Sequence, residues 1–279
     1  LTNYGTLRSQ NSGGGGGGRE IAGGLVNYGL VGIDYDATVR IDAVGAGQIF
    51  DSAFGTIEVA AGKTLTIDAG SDGATQLGNG TTIDGAGVVR LVGDAHTLTI
   101  SSYFILNSGA LEFSGTVTVE GGTFYVGDGG ELELTGDTID SPFTIDDGGS
   151  VGVSEGTSTL NSNTTIMAGG SLAINGTAAS DAALTLAGAG FLWNYGLITL
   201  DSVSGAGEAK LTVDGVFYNH GTLRSQTSGG SGSTIVDGNV INYGDIQVDH
   251  NLILTGAGTD HQNYGVVEIA TGSTLTISG

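Results

Sequence analysis

A five-residue phrase recurs twelve times along this 279-residue chain: a glycine, an apolar residue two places on, and usually another four places on. It reads Gly5-Thr6-Leu7-Arg8-Ser9, Gly29-Leu30-Val31-Gly32-Ile33 and Gly55-Thr56-Ile57-Glu58-Val59. It then returns from Gly87, Gly109, Gly130, Gly149, Gly170, Gly196, Gly221, Gly244 and Gly265. Successive glycines lie 19 to 32 residues apart, mostly between 20 and 26. A unit that short cannot bury its own apolar face, so its copies must stack on one another. The repeat sets the architecture.

Within each phrase the apolar residues alternate with Thr, Glu, Arg, Ser or Gln, the period of a strand with one buried face. Many units add a second alternating strand, such as Thr64-Leu65-Thr66-Ile67, Thr97-Leu98-Thr99-Ile100, Thr116-Val117-Thr118-Val119 and Thr274-Leu275-Thr276-Ile277. Gly, Asn, Asp and Ser between them supply turns. No stretch carries a 3.6-residue apolar period, so helix is expected to be nearly absent. An antiparallel sandwich or barrel would be built on two-residue hairpins. One phrase returning at near-constant spacing instead predicts stacking of like on like. Parallel crossovers favour the right hand, so the expected fold is all-β, a right-handed parallel β-helix (β-solenoid) of about twelve rungs. At ~4.8 Å per rung it would be a rod roughly 55–60 Å long. The 32-residue interval from Gly55 to Gly87 is expected to hide a divergent rung around Asn79–Ile83.

A longer period lies over the short one. Gly5-Thr6-Leu7-Arg8-Ser9-Gln10 reappears unchanged as Gly221-Thr222-Leu223-Arg224-Ser225-Gln226, and both copies run into a Ser/Gly tract, Gly13 to Gly18 and Ser228 to Ser233. Ile57-Glu58-Val59-Ala60 likewise matches Val267-Glu268-Ile269-Ala270. This predicts one long block over 1–215 and the start of the next over 216–279, in one continuous solenoid, with the Ser/Gly tracts as loops bulging from it. The chain reads as a segment of something longer.

The charge balance removes several function classes. With 29 Asp plus Glu against 7 Lys plus Arg, net −22, no basic stripe exists to displace phosphate counterions. Nucleic acid is not expected as a partner, nor is an anionic membrane surface. Repulsion of that size would keep an apolar-cored rod soluble. The absence of cysteine excludes disulfides, thiolate metal sites and cysteine nucleophiles. One proline beside 54 glycines excludes collagen, and 39% hydrophobic residues placed periodically exclude disorder. No run of 18 apolar residues spans a bilayer, so no membrane insertion is expected.

The most specific constellation precedes the phrase. Asn-Tyr-Gly begins at Asn3, Asn27, Asn194, Asn242 and Asn263, so Tyr4, Tyr28, Tyr195, Tyr243 and Tyr264 share one slot; His220 fills it after Asn219, and Phe54 fills it before Gly55. Asparagine bonds local main chain, and stacked Asn side chains bond one another from rung to rung. Rings at the next position can stack likewise. The functional reading is a carbohydrate-binding aromatic strip; the favoured reading is a pair of structural ladders at a corner. A second ladder of Glu58, Arg90, Glu112 and Glu133 would place two like charges together, a setting that calcium or solvent could relieve. Calcium is thus the one cofactor considered, with none expected. Asp34 with Asp36, and Asp146 with Asp147, are weaker pairs. The scattered Thr-x-Thr strands fit strand propensity better than an ice-binding plane. Asn79, Asn163 and Asn175 fit the glycosylation sequon. His96, His220, His250 and His261 lack triad-like context, and Asp146-Asp147 has no nearby cation to hold an anionic sugar.

Rungs reading Asn-x-Gly-x-apolar-x-apolar, as in Asn27-Tyr28-Gly29-Leu30-Val31-Gly32-Ile33 and Asn107-Ser108-Gly109-Ala110-Leu111-Glu112-Phe113, resemble the β-helical stalks of filamentous-haemagglutinin-type adhesins and autotransporter passengers. The likeness is one of repeat style along the whole length and brings no catalytic residues. It implies a non-enzymatic structural or adhesive segment of a large secreted or bacterial cell-surface fibre. Its expected partners are further copies of itself or surface glycans and proteins. The alternative is a polysaccharide-active enzyme or tailspike-like depolymerase, which would need a groove lined by three or more clustered carboxylates.

Overall fold

The structure is a computed structural model describing residues 1–10, 19–41, 49–70, 74–78, 80–93, 96–188, 190–256 and 260–278. The described chain is all strand, turn and bend, with no helix, and its parallel strands wind into a β-solenoid of about eleven turns. By contact clustering it forms two compact units, Leu1–Glu133 and Leu134–Gly279.

In the Leu1–Glu133 unit each coil contributes three strands, one to each of three faces. The first coil runs Thr2–Asn3, Thr6–Ser9, Arg19–Ala22; the second runs Leu25–Asn27, Leu30–Ile33, Ala37–Arg40. Every strand pairs in parallel with its counterpart one coil on: Asn3 with Asn27, Leu7 with Val31, Ile21 with Val39. The Leu134–Gly279 unit repeats the plan, for example Phe191–Asn194 followed by Leu197–Ser202. There Asn194 pairs with Asn219 and Ile198 with Leu223.

Alternation decides what faces inward. Ile57, Leu111 and Ile198 are each 0% exposed, while their neighbours along the strand are partly exposed. Each such side chain contributes about 1.5–3 kcal/mol by leaving water, so a coil of three strands draws its stability from the neighbours that cover it.

The phrase does not stay on one face. In the Leu1–Glu133 unit the strands after Gly5, Gly29 and Gly55 stack on each other, as Leu7, Val31 and Ile57 show. The strand after Gly87 stacks instead on Thr64–Asp68, with Val89 beside Leu65, and the next phrase follows it there, Leu111 beside Val89. The 32-residue interval is therefore one coil plus one strand. Thr81–Gly85, expected as part of a separate rung, is the strand that precedes the Gly87 phrase within the same coil, pairing with Thr56–Val59. Asn79 lies outside the described residues, as does the Gly13–Gly18 tract.

At Gly221 and Gly244 the phrase glycine is required by close approach rather than by a left-handed backbone, whereas Gly109 has a φ of +75°. A Cβ on Gly221 would lie 2.2 Å from the carbonyl oxygen of Gly196, and one on Gly244 2.1 Å from that of Gly221. Gly5 differs: nothing lies within 4 Å of where its Cβ would sit.

Candidate functional site

The Asn-aromatic-Gly corner builds two side-chain ladders in each unit. In Leu134–Gly279 the amide of Asn194 donates to Asn219 Oδ1 at 2.7 Å, Asn219 to Asn242 at 2.6 Å, and Asn242 to Asn263 at 2.7 Å. Each amide also reaches a carbonyl in the phrase of the following coil, Asn194 to Thr222 O and Asn219 to Asp245 O, both at 3.0 Å. The Oδ1 atom receives the backbone N–H two residues on, as Gly196 N to Asn194 Oδ1 at 3.1 Å. Asn194, Asn219 and Asn242 are buried with donors and acceptors engaged, which is what burial of an amide demands.

The rings stack in the adjacent column. Tyr195 and His220 lie 5.0 Å apart at 12°, His220 and Tyr243 4.9 Å at 8°, Tyr243 and Tyr264 5.2 Å at 13°. Near-parallel rings one coil apart turn their π faces on each other and present edges to water. Pyranose stacking needs a free face, so the column does not offer a sugar-binding strip between its ends.

In Leu1–Glu133 the same corner carries a shorter ladder. Asn3 donates to Asn27 Oδ1 at 2.8 Å, Tyr4 stacks on Tyr28 at 5.1 Å and 9°, and Asn27 donates to Ser52 Oγ at 3.2 Å. Ser52 takes the asparagine register position, leaving one extra residue before Gly55. Phe54 absorbs it with φ of 61°, the one described non-glycine residue with a positive φ.

The charged ladder is rearranged. Glu58 stacks on Gly32 rather than beside Arg90, and it ion-pairs with Arg8 two coils away at 3.1 Å. Gly32 leaves the room: a Cβ there would lie 2.7 Å from Arg8 Nε. Arg90 and Glu112 do adjoin, at 2.6 Å, and Glu133 lies in register with Glu112. Asp34 holds Arg8 at 3.1 Å, and Asp36 accepts from Thr64 N at 2.9 Å. Asp146 and Asp147 are exposed on a turn. Among the described residues no three His, Asp or Glu side chains gather to hold a metal ion.

Loops join the frame too. The Ser228–Ser233 tract lies on the loop one coil earlier, with Ser228 N and Oγ bound to Asp201 at 2.9 and 2.6 Å, and Gly230 bridging Gly205. His96 is buried, its Nε2 2.9 Å from Thr75 Oγ1, and desolvation holds its pKa below the ordinary value. Burial does the same to His261. Asp84 is held low, chiefly by the hydroxyl of Ser108 at 2.6 Å.

Sequence reading missed one cluster. Phe191, Trp193 and Tyr218 point outward beside the Tyr195 column, with centroids 5.3 Å apart for Phe191–Trp193 and 6.3 Å for Trp193–Tyr218. Phe191-Leu192-Trp193 alternates about the buried Leu192, and Tyr218 follows in register with Trp193, so period two plus the coil length was the available signal.

No known protein family, curated protein or solved structure matches this chain.

Proposed function

We propose that this chain is a structural and adhesive β-solenoid segment of a large repetitive secreted or cell-surface fibre protein, serving attachment, aggregation or matrix formation outside the cell. The observation that carries the reading is the unbroken run of ladders. Asn194 through Asn263 and Tyr195 through Tyr264 spend their polar and aromatic groups on one another, coil after coil. Of the acidic pairs singled out in the sequence, Asp34 and Asp36 are engaged in the frame, Asp34 on Arg8 and Asp36 on the Thr64 backbone, while Asp146 and Asp147 stand exposed on a turn with no cation beside them in the sequence. A molecule whose side chains serve stacking is suited to holding distance and presenting a repeated surface. The partners it fits are copies of itself, or surface glycans and proteins met along its length.

The test is attachment. Beads coated with the chain are expected to clump, or to adhere to bacterial or host cell layers, more than beads coated with albumin. Equal behaviour of the two coatings would overturn the reading.

A further inference from the structure

One face of the Leu134–Gly279 unit changes character at a single coil step. Along one outward column Thr144 pairs with Thr165, Thr165 with Trp193, and Trp193 with Tyr218. Along the next, Phe191 follows Asn163, whose Oδ1 accepts from Phe191 N at 3.0 Å. Small polar side chains thus give way to rings between the coil of Thr164–Ile166 and that of Phe191–Asn194. The three rings form one cluster, Phe191 lying 5.3 Å from Trp193 and 6.1 Å from Tyr218, and Trp193 6.3 Å from Tyr218. The coil before carries no ring beside Phe191 or Trp193, so the leading side of the cluster borders Asn163 and Thr165. Phe191 is 36% exposed, and Trp193 and Tyr218 are half-buried. Ring surface is left open here, unlike the interior of the Tyr195 column.

The polar groups around these rings supply an independent observation. Trp193 Nε1, Tyr218 Oη, the hydroxyls of Thr144 and Thr165 and the Asn163 amide nitrogen have no hydrogen-bond partner among the described residues, in contrast to the corner asparagines beside them. None of the six side chains is acidic or basic, and no Lys or Arg occurs between Arg90 and Lys210. Rings flanked by a few neutral donors and acceptors suit a ligand with C–H faces and hydroxyl edges, as a neutral pyranose has. Anionic sugars, phosphates and acidic lipid surfaces need cations that this face lacks. A purely apolar protein surface would strand the indole N–H and the hydroxyls without partners.

We propose that Phe191, Trp193 and Tyr218, with Asn163, Thr144 and Thr165 before them, form a binding face for a neutral oligosaccharide. This deepens the attachment reading and rests on it, giving the glycan partner a place and a chemistry. A pyranose lies against the rings through its C–H bonds, and its hydroxyls engage the Trp193 N–H, the Asn163 amide and the threonine hydroxyls. The face is open rather than enclosed, so one copy holds its sugar weakly, and a fibre repeating it gains by avidity.

Trp193 is the one tryptophan of the chain, so its fluorescence reports this site alone. The test titrates the 279-residue chain with cellohexaose, maltohexaose and the chitin hexamer, and with the galacturonic acid hexamer as the anionic counterpart. At least one neutral hexamer is expected to shift or quench the emission saturably, and the galacturonate hexamer to leave it unchanged. Phe191→Ala is expected to weaken that neutral sugar roughly 3- to 10-fold, the contribution of one ring contact, with the far-UV circular dichroism spectrum unchanged. Trp193→Ala, followed by calorimetry in place of fluorescence, is expected to abolish binding. No response to any neutral hexamer, an equal response to galacturonate, or full affinity in Phe191→Ala would overturn the proposal. So would emission that changes with protein concentration and not with sugar, which would assign the rings to a second copy. Beads that adhere although no sugar binds leave the attachment reading standing and remove only this site. Sugar binding by a chain whose beads behave like those coated with albumin removes attachment and keeps the site.

Discussion

Asn219 shows what one residue does in this frame. It is 0% exposed, accepts from Asn194 and donates to Asn242 and to Asp245 O. Asn219→Ala strands a donor on one coil and acceptors on the next, each costing about 1–3 kcal/mol when buried. The variant is expected to lose roughly 3 kcal/mol in urea denaturation, and His220→Ala about 1–2 kcal/mol through two lost stacks. His96 sets a pH dependence of known sign. Its folded pKa lies below the unfolded value of about 6.5, so the folded state binds the proton less well. Its contribution is complete above that unfolded value and declines as pH falls from there toward the folded pKa. Between pH 7.5 and 5, wild type should lose more denaturation stability than His96→Leu; equal losses would remove His96 as the cause.

At the scale of the strand and its corner, the phrase glycine is the most sensitive position. Gly221→Ala puts a methyl 2.2 Å from Gly196 O, and the backbone on both sides must separate. It is expected to cost several times the ~1 kcal/mol of Gly272→Ala, where φ is +89° and the space is open. Paired thermal melts compare the two. Much of this scale was legible beforehand. Period two in Val88–Val92 or Gly130–Leu134 names the inward residues because burial is all that distinguishes them from their neighbours. The Asn-aromatic-Gly corner was legible because two adjacent side chains must each find a like partner one coil away. What the spelling of a phrase does not contain is the identity of its neighbour. Glu58 and Arg90 occupy the same phrase position yet stand on different faces, since stacking is set by accumulated chain length between them. Tyr218 escaped notice for a related reason: its partner Trp193 is defined only once the register is known.

For the molecule as a whole, charge is the adjustable quantity. Residues 91–209 contain 14 Asp or Glu and no Lys or Arg, so neighbouring coils there repel without internal neutralisation. Screening should stabilise such a chain. Raising NaCl from ~0.02 to ~0.5 M is expected to lift the melting midpoint by about 3 °C, the shift that ~1 kcal/mol produces at this size. A flat or falling midpoint would contradict the charge account. The move of the phrase from one face to another has a genetic corollary. The Gly55-to-Gly87 interval exceeds the two before it by six to eight residues, one strand with its corner, and Val88–Val92 still has in-register parallel neighbours in Thr64–Asp68 and Gly109–Ser114. Length variation in a gene of this kind should therefore be tolerated in quanta of one strand as well as one coil. A gain or loss of six to eight codons would rotate the motif around the coil, whereas two or three codons would leave inward residues facing water.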